Sequence, residues 1–413
     1  MKTINVYFDW NYLPEINKIG SLRTDVIRGS EVFSFEYDRL WLEGSFSQTL
    51  DPDLDYYPGS QYLQNKKVNF GMFLDSSPDR WGRMLMNRKE AIDASNEKRP
   101  QKTLLESDYL LGLDDATRMG ALRFKLDENS DFLSNNENIE VPPISNIREL
   151  EQACNNVEKD EFFENENAGK WLKILFAPGS SLGGARPKAN IYNTDRSLWI
   201  AKFPSKNDNI DTGAWEYIVN KMAKDLNINV ATGKAQKFLG NRHTYLTKRF
   251  DRSNGKRLHY ASAMTLLGLI DGKNDIGYLD IVKIIEKYGS SPTKDIRELW
   301  RRIVFSVAIS NTDDHLRNHG FLLTPSGWEL SPAFDINPIS DGMGLSLNID
   351  DNNNNSLDFD LCLEVIGYFR VNENEAVDFI VKTKEVVSQW KRMAKTLNVP
   401  STDISLMERA FNI

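Results

Sequence analysis

The sequence predicts an α+β protein with more than one domain, and three observations support this. Segments of alternating polar and apolar residues, such as INVYF and EVFSFEY, are typical of half-buried strands. Apolar residues recur at helical spacing elsewhere, most clearly in DIRELWRRIVFSVAIS. The chain has 413 residues, more than the roughly 250 to 300 at which a single hydrophobic core stops growing. We therefore expect several separately packed units.

Residues 1–130 are expected to form an α+β N-terminal subdomain. Strand patterns in INVYF, EVFSFEY and MGALRFKL accompany a helix from about Asp79 to Ile92 and a shorter helix in SDYLLGL. Residues 127–146 are rich in Asn, Glu, Ser and Pro with little periodicity, which is typical of a linker. We place a domain boundary in this segment.

Residues 144–254 predict a second domain that is rich in strands. A helix near its start is followed by a small-residue loop, GSSLGG, and then by a hairpin with strands at 185–192 and at WIAKF. The next helix is TGAWEYIVNKMAKDL, with Thr212 as its candidate N-cap. Two more strand patterns follow, in VATGKAQKFL and HTYLTKRFD.

Residues 255–413 predict a helical domain. The apolar face of DIRELWRRIVFSVAIS indicates a buried helix that runs into NTDDHLRN. GFLLTPSGWEL then predicts a hairpin that leads to AFD. The Asn-rich segment NIDDNNNN is expected to be a loop, and the tail from residue 371 to hold two amphipathic helices.

Composition narrows the class of protein and its surroundings. The net charge of −8 and pI near 5.3 argue against autonomous nucleic-acid binding, which usually needs a basic surface. Only Cys154 and Cys362 are present, so a disulfide framework is not expected and a reducing compartment fits. No apolar run approaches the roughly 18 residues that a membrane span needs. We therefore expect a cytoplasmic protein that does not bind membranes.

Three residues of the helical domain match the needs of phosphoryl transfer. The reaction needs a carboxylate to orient the attacking hydroxyl and oxygen ligands for Mg²⁺. Asp313 and Asn318 have the D-x-x-x-x-N spacing of a kinase catalytic loop. Asp335 follows a hairpin, where kinase-like folds present a second metal ligand. Asp313 is thus the candidate catalytic base, and Asn318 and Asp335 are candidate Mg²⁺ ligands.

The preceding domain contains candidate contacts to the phosphates of ATP. Glycines in GSSLGG would let backbone N–H groups approach phosphate oxygens. Lys202 could pair with the α- and β-phosphates, and Glu216 could hold Lys202 in place. Alone, each feature has an ordinary explanation as a turn, a solvated strand lysine or a surface charge. Their order along the chain is that of kinase parts and predicts a bilobal protein-kinase-like fold, with a small β-rich lobe and a larger helical lobe.

These segments resemble the HipA-type serine/threonine kinases, the toxins of bacterial toxin–antitoxin pairs. SSLGGARPKA resembles the phosphate loop of that family, TDDHLRNHGF its catalytic loop, SPAFDINP its metal-binding segment and KRFDR the connection between the lobes. GSLRTD, FSFEYDRLWL, SPDRWGRMLM and MGALRF are similar to its N-terminal subdomain. The resemblance covers nearly the whole chain.

The resemblance implies a full set of site residues. It supports Asp313 as base and Asn318 and Asp335 as Mg²⁺ ligands, and it implies autophosphorylation of Ser181, which would expel the loop and inactivate the kinase. The implied ATP-binding residues are Ser181, Leu182, Gly183, Gly184, Lys188, Lys202, Arg249, Phe250 and His315, with Glu216 supporting them. The implied partners are a small helix-turn-helix antitoxin similar to HipB, a protein substrate, and DNA only through the antitoxin.

The sequence also departs from ordinary protein kinases and leaves alternatives open. His315 stands where a Lys usually stabilises the transferred phosphoryl group, and a structural role in the loop is its alternative. Ile336 and Asn337 follow Asp335, so the DFG glycine is absent. We expect Asp314 to be solvated. The alternative functions are a small-molecule phosphotransferase of kinase-like fold and a non-enzymatic corepressor that binds the antitoxin.

Overall fold

The computed structural model describes residues 1–46, 48–63, 67–133, 141–159, 162–164, 167–176, 184–270, 272 and 275–413. The chain forms two compact units. The first comprises residues 1–206 and 251–261, and the second comprises residues 207–250 and 262–413.

The first unit contains an antiparallel sheet, a set of helices and a separate hairpin. The sheet strands are β1 (Lys2–Phe8), β2 (Asn17–Ile27), β3 (Ser30–Tyr37), β4 (Gln61–Tyr62) and β5 (Leu122–Lys125). The helices are α1 (Arg39–Glu43), α2 (Gly71–Asp75), α3 (Arg80–Asn96), α4 (Glu106–Leu111), α5 (Ile147–Val157) and α6 (Ala168–Phe176). The hairpin is β6 (Lys188–Tyr192) with β7 (Leu198–Lys202), and two short strands are β10 (Arg252–Ser253) and β11 (Lys256–Arg257). Strand β12 (Tyr260–Ser262) begins in the first unit and ends at the first residue of the next segment of the second unit.

The sheet has the strand order β4-β3-β2-β1-β5, and its alternating residues build the core. Ile4, Val6 and Phe8 of β1 are buried, as are Phe33 and Phe35 of β3. The tight turn between β2 and β3 places two residues, 28 and 29, at positive φ, which fits the right-handed twist of a hairpin. Burial of one sheet face therefore follows from the alternating sequence pattern.

Helix α3 begins at a capped N-terminus and carries basic side chains that pair within the first unit. The Asp79 carboxylate accepts a hydrogen bond from the Gly82 N–H at 2.8 Å, which satisfies one free donor of the helix end. Arg83 forms a two-pronged ion pair with Glu106, at 2.6 and 2.7 Å. These contacts fix α3 against the rest of the unit.

The imidazole of His259 lies in the core of the first unit. The side chain is 1% exposed, and its ring packs edge-on against Phe8 with the ring centroids 4.9 Å apart. Burial lowers the pKa of His259 to about 3, because the charged form loses its hydration. Histidine in an unfolded chain titrates near pH 6.5. Below about pH 6.5 the unfolded chain therefore binds a proton that the folded protein does not, and the free energy of unfolding decreases as the pH falls.

We expect acid to destabilise the wild-type protein more than a His259→Gln variant. Between about pH 7 and about pH 4.5 the free energy of unfolding of the wild type should fall by roughly 3 kcal/mol more than that of the variant. Urea denaturation across this pH range measures the difference. Parallel pH curves for the two proteins would contradict the assignment of His259 as a neutral core residue.

The second unit is mainly helical, with two hairpins. The helices are α7 (Thr212–Asp225), α8 (Ala263–Leu266), α9 (Tyr278–Tyr288), α10 (Pro292–Ala308), α11 (Phe359–Glu364), α12 (Glu373–Val387), α13 (Trp390–Thr396) and α14 (Ser401–Leu406). The hairpins are β8 (Gly233–Gln236) with β9 (Thr244–Lys248), and β13 (Gly320–Thr324) with β14 (Gly327–Leu330).

Helix α10 forms the centre of the second unit. Its residues Leu299, Trp300 and Ile303 are buried, as the apolar face predicts. The Trp300 indole N–H donates to the Cys362 carbonyl at 2.9 Å, so the largest side chain of the helix is also satisfied as a donor. Because α10 is fixed along its length, the NTDDHLRN segment that follows starts from a rigid support.

Several sequence predictions are confirmed and others are wrong in detail. The predicted helix around Asp79, the buried helix α10, the β13–β14 hairpin and the two free cysteines are confirmed. Strand β2 and helix α9 were not predicted. The N-cap of α7 is Asp211 rather than Thr212, and the fully described tail holds α12, α13 and α14 rather than two helices. No helix among the described residues is long and apolar enough to cross a membrane.

Candidate active site

The NTDDHLRN segment forms a tight loop that closes on itself. The Asn318 side-chain amide donates to the Asp313 backbone carbonyl at 3.0 Å, and the Asn318 backbone N–H donates to the His315 carbonyl at 2.8 Å. The D-x-x-x-x-N spacing therefore brings the two ends of the motif together. Because the Asn318 nitrogen is used in this bond, the carboxamide oxygen is the atom that can coordinate a cation.

The two adjacent carboxylates of this loop lie in opposite environments. Asp313 is exposed, as an acceptor-facing base requires. Asp314 is only 5% exposed and accepts from the Tyr278 hydroxyl at 2.6 Å, with His319 Nε2 2.9 Å from its other oxygen. Burial alone would raise the pKa of Asp314, but His319 and the Tyr278 hydroxyl hold that pKa below its ordinary value. The expectation that Asp314 is solvated is therefore wrong.

We expect Asp314→Ala to destabilise the protein by roughly 3 kcal/mol or more, because it leaves the buried Tyr278 hydroxyl without its acceptor and removes the ion-pair partner of His319. The neighbouring Asp313→Ala is the matched control. It removes the same group from an exposed position and should change stability by less than about 0.5 kcal/mol. Urea denaturation at neutral pH measures both variants. Equal, small effects would contradict a structural role for Asp314.

Asp335 stands in a strained conformation on an anchored segment. Its φ is +56°, in the left-handed region that residues other than glycine adopt only at a cost and that often marks functional positions. Two residues earlier, the Ala333 N–H donates to the Asn229 carbonyl at 2.8 Å, and the Ala333 carbonyl accepts from Ala231 at 3.0 Å. Buried Arg302 of α10 also donates to the Ser331 carbonyl at 2.8 Å. These bonds hold the segment that presents Asp335.

The Asp335 segment and the NTDDHLRN loop are joined. The Asn337 backbone N–H donates to the Asn311 carboxamide oxygen at 3.2 Å, and the Asn337 side chain donates to Asp335 at 3.3 Å. A cavity of about 20 Å³ is lined by residues that include Asn318 and the two neighbours of Asp335, Phe334 and Ile336. The structure thus brings the Asn318 and Asp335 segments together within the second unit.

Glu216 is buried rather than a surface charge. It lies on α7 and is 4% exposed. The alternative explanation of Glu216 as a surface charge is therefore wrong. Burial raises the pKa of Tyr245 well above its ordinary value, and the charges of Glu216 and Asp335 raise it further. Both carboxylates therefore disfavour ionisation of the Tyr245 hydroxyl.

Arg249 and Phe250 follow directly after β9. Arg249 is buried, and the preceding Lys248 N–H donates to the Thr232 carbonyl at 2.8 Å, which fixes the exit from the strand. The Phe250 ring lies 5.4 Å from that of Phe334, centroid to centroid. The residue expected at the adenine thus contacts the neighbour of the expected metal ligand Asp335.

The first unit holds the two candidate phosphate lysines. Lys188 and Lys202 are directly opposite each other in the β6–β7 hairpin, so both side chains leave the same face. The Lys188 ammonium donates to Asp79 at 2.9 Å and to the Gly184 carbonyl at 3.2 Å. Gly184 has a φ of +89°, a conformation that favours glycine. Ser181, Leu182 and Gly183 lie outside the described residues.

Sequence reasoning missed several residues that shape these two regions. The sequence predicts a helix from about Asp79, but no local signal shows that Asp79 meets Lys188, which is 109 residues away. Tyr278 of α9 likewise bonds to Asp314 in the NTDDHLRN loop. Arg302 of α10 bonds to Ser331, the residue that follows β14. Only the fold reveals these contacts.

The donor atoms suit a hard divalent cation shared with a nucleotide. Mg²⁺ prefers oxygen ligands and is usually held by one or two protein groups together with substrate phosphates. The Asn318 carboxamide oxygen and the Asp335 carboxylate could supply such ligands. Within the described ranges, no group of three or more His, Cys, Asp or Glu is placed to hold a metal ion.

The helical second unit, its hairpins and the closed loop define an α+β protein of kinase-like fold. A family model described as the HipA-like C-terminal domain matches residues 180–397, more than half of the chain. The chain therefore belongs to the HipA family, and the resemblance seen in its motifs is confirmed.

Curated relatives and a solved structure agree with this assignment. The chain is 24% identical over 184 residues to a "putative kinase" of Haemophilus influenzae, covering 39% of this chain and 53% of that protein. It is 25% identical over 193 residues to the "serine/threonine-protein kinase toxin HipA" of Shewanella oneidensis, covering 38% and 43%. The chain thus spans about half the length of these curated relatives.

The fold is shared over almost the whole chain. HipA in the complex of the Shewanella oneidensis toxin–antitoxin proteins HipA and HipB with operator DNA matches with a TM-score of 0.67 and 18% identity, covering 98% of this chain and 94% of that one. At this identity the likeness shows a common fold.

Proposed function

We propose that this protein is a Mg²⁺- and ATP-dependent protein serine/threonine kinase that acts as the toxin of a toxin–antitoxin pair. The observation that carries the proposal is the closed loop in which Asn318 bonds to Asp313, joined through Asn337 and Asn311 to the Asp335 segment. Membership of the HipA family and the names of the curated relatives support the same activity.

The residues divide the work as follows. Asp313, exposed on its loop, accepts the proton of the acceptor hydroxyl as that oxygen bonds to the γ-phosphorus and the bond to ADP breaks. Asn318 and Asp335 would hold Mg²⁺, which when bound neutralises charge on the phosphate oxygens. Lys188 and Lys202 are the proposed phosphate-binding residues, and Glu216 is a proposed supporting residue. Arg249 and Phe250 hold the adenine, and His315 completes the nucleotide contacts.

Labelled ATP distinguishes a protein kinase from a small-molecule phosphotransferase. The purified protein would be incubated with γ-labelled ATP and Mg²⁺, with either a cell lysate or a panel of metabolites. We expect label on serine or threonine of a protein in the lysate. Label confined to small molecules would contradict the proposal, as would an absence of transfer that Asp313→Asn does not change.

Self-modification and partnership are further parts of the proposal. Autophosphorylation of Ser181 would place a charged phosphate where nucleotide phosphates bind and would switch the kinase off. Mass spectrometry after incubation with ATP, with Ser181→Ala as control, tests this.

The relative of known structure is a complex with HipB and operator DNA, which supports a small helix-turn-helix antitoxin as partner here and DNA contact through it. A short neighbouring reading frame for such a protein would support this partnership. We place the protein in the cytoplasm.

A further inference from the structure

We propose that Asp79 is a positioning residue of the nucleotide site, which holds the Lys188 ammonium and the Gly184 backbone in place for phosphate. The inference rests on the proposed function and deepens it. It adds to the site a residue of the N-terminal 130, a region that the family model for residues 180–397 does not cover.

The Lys188 ammonium is a buried charge. The side chains of Lys188 and Asp79 are 1% and 7% exposed, and the ammonium lies 2.9 Å from the carboxylate. A buried ammonium is costly unless an opposite charge accompanies it. Asp79 therefore allows a cation to stand at this position of β6.

The register of the β6–β7 hairpin places two lysines side by side. Lys188 pairs directly with Lys202, and like charges opposite each other on neighbouring strands repel. Asp79 offsets this repulsion on the Lys188 side. Two lysines can then share one hairpin face, from which each can form a charge-assisted hydrogen bond to phosphate.

The start of α3 forms several hydrogen bonds to the segment from Gly184 to Lys188. The Trp81 indole N–H donates to the Lys188 carbonyl at 2.9 Å, and the Trp81 backbone N–H lies 3.4 Å from the Gly184 carbonyl. The same Gly184 carbonyl accepts from the Lys188 ammonium at 3.2 Å. Asp79 is itself fixed by its bond to Gly82. The helix start thus sets both the direction of the ammonium and the backbone at Gly184.

The substitution Asp79→Asn tests the charge alone. Asn caps a helix as well as Asp, so the bond from Gly82 is kept and the ion pair with Lys188 is lost. We expect the dissociation constant for ATP, measured by calorimetry, to rise at least tenfold. Asp38→Asn is the matched control, because Asp38 caps α1 through Leu40 in the same unit and is not a partner of Lys188 in the described part of the chain. It should leave ATP affinity unchanged.

A double-mutant cycle shows whether Asp79 acts through Lys188. Lys188→Met should weaken ATP binding by a similar factor, and the double variant should bind no more weakly than Lys188→Met alone. Additive losses would overturn the inference, as would an Asp79→Asn protein that is less stable but binds ATP like the wild type. These experiments measure ATP binding and not phosphate transfer. If the wild-type protein transferred no phosphate to protein, the proposed function would be contradicted, but the role of Asp79 in ATP binding would still be tested.

Discussion

Replacing Asp313 by Asn is expected to lower the rate of phosphoryl transfer at least roughly 100-fold, the usual contribution of a positioned base, while ATP affinity changes by less than about threefold. Asp313 is exposed on its loop, and the bonds that shape the loop use its backbone carbonyl rather than its carboxylate. The substitution should therefore remove the group that faces the acceptor hydroxyl and leave the loop intact.

Single-turnover transfer from γ-labelled ATP and calorimetric titration with ATP measure the two quantities separately. Asp351→Asn is the matched control, since it removes one exposed carboxylate from a loop of the same unit. That variant should behave like the wild type. Loss of ATP binding as large as the loss of activity would contradict the assignment of Asp313 as the base.

Asp335→Asn is expected to weaken binding of ATP in the presence of Mg²⁺ by at least about tenfold, or roughly 1.4 kcal/mol. Asp335 has a φ of +56°, and Asn adopts this left-handed conformation as readily as Asp. The substitution should therefore keep the backbone and remove the negative charge that Mg²⁺ needs.

Calorimetric titrations with and without Mg²⁺ isolate this effect. The variant should lose affinity only when Mg²⁺ is present, and the exposed Asp341→Asn should lose none. An Asp335→Asn protein that binds Mg²⁺ and ATP like the wild type would remove Asp335 from the metal site.

Short sequence patterns were sufficient to predict several helices and strands and the order of the motifs along the chain. The apolar face of α10, the helix predicted from about Asp79 and the β13–β14 hairpin each depend on residues close in sequence, and the structure confirms them. The assignments of Asp313, Asn318 and Asp335 came from spacing and family resemblance. Their roles remain predictions, but the structure does join their segments through Asn311 and Asn337.

Burial of charged residues could not be predicted in the same way. Asp313 and Asp314 are neighbours with the same side chain, yet Asp314 is buried because Tyr278 arrives from α9 and His319 from beyond the loop. Glu216 is buried although its helix position alone did not distinguish core from surface. The pairing of Asp79 with Lys188 depends on contacts 109 residues apart. Such contacts carry no signature within a short window of sequence.

A crystal structure with Mg²⁺ and a non-hydrolysable ATP analogue tests the central claim most directly. We predict that the cation is bound by the carboxamide oxygen of Asn318 and the carboxylate of Asp335, with the Asp313 carboxylate facing the terminal phosphate. A nucleotide bound with its cation away from Asn318 and Asp335 would contradict the account.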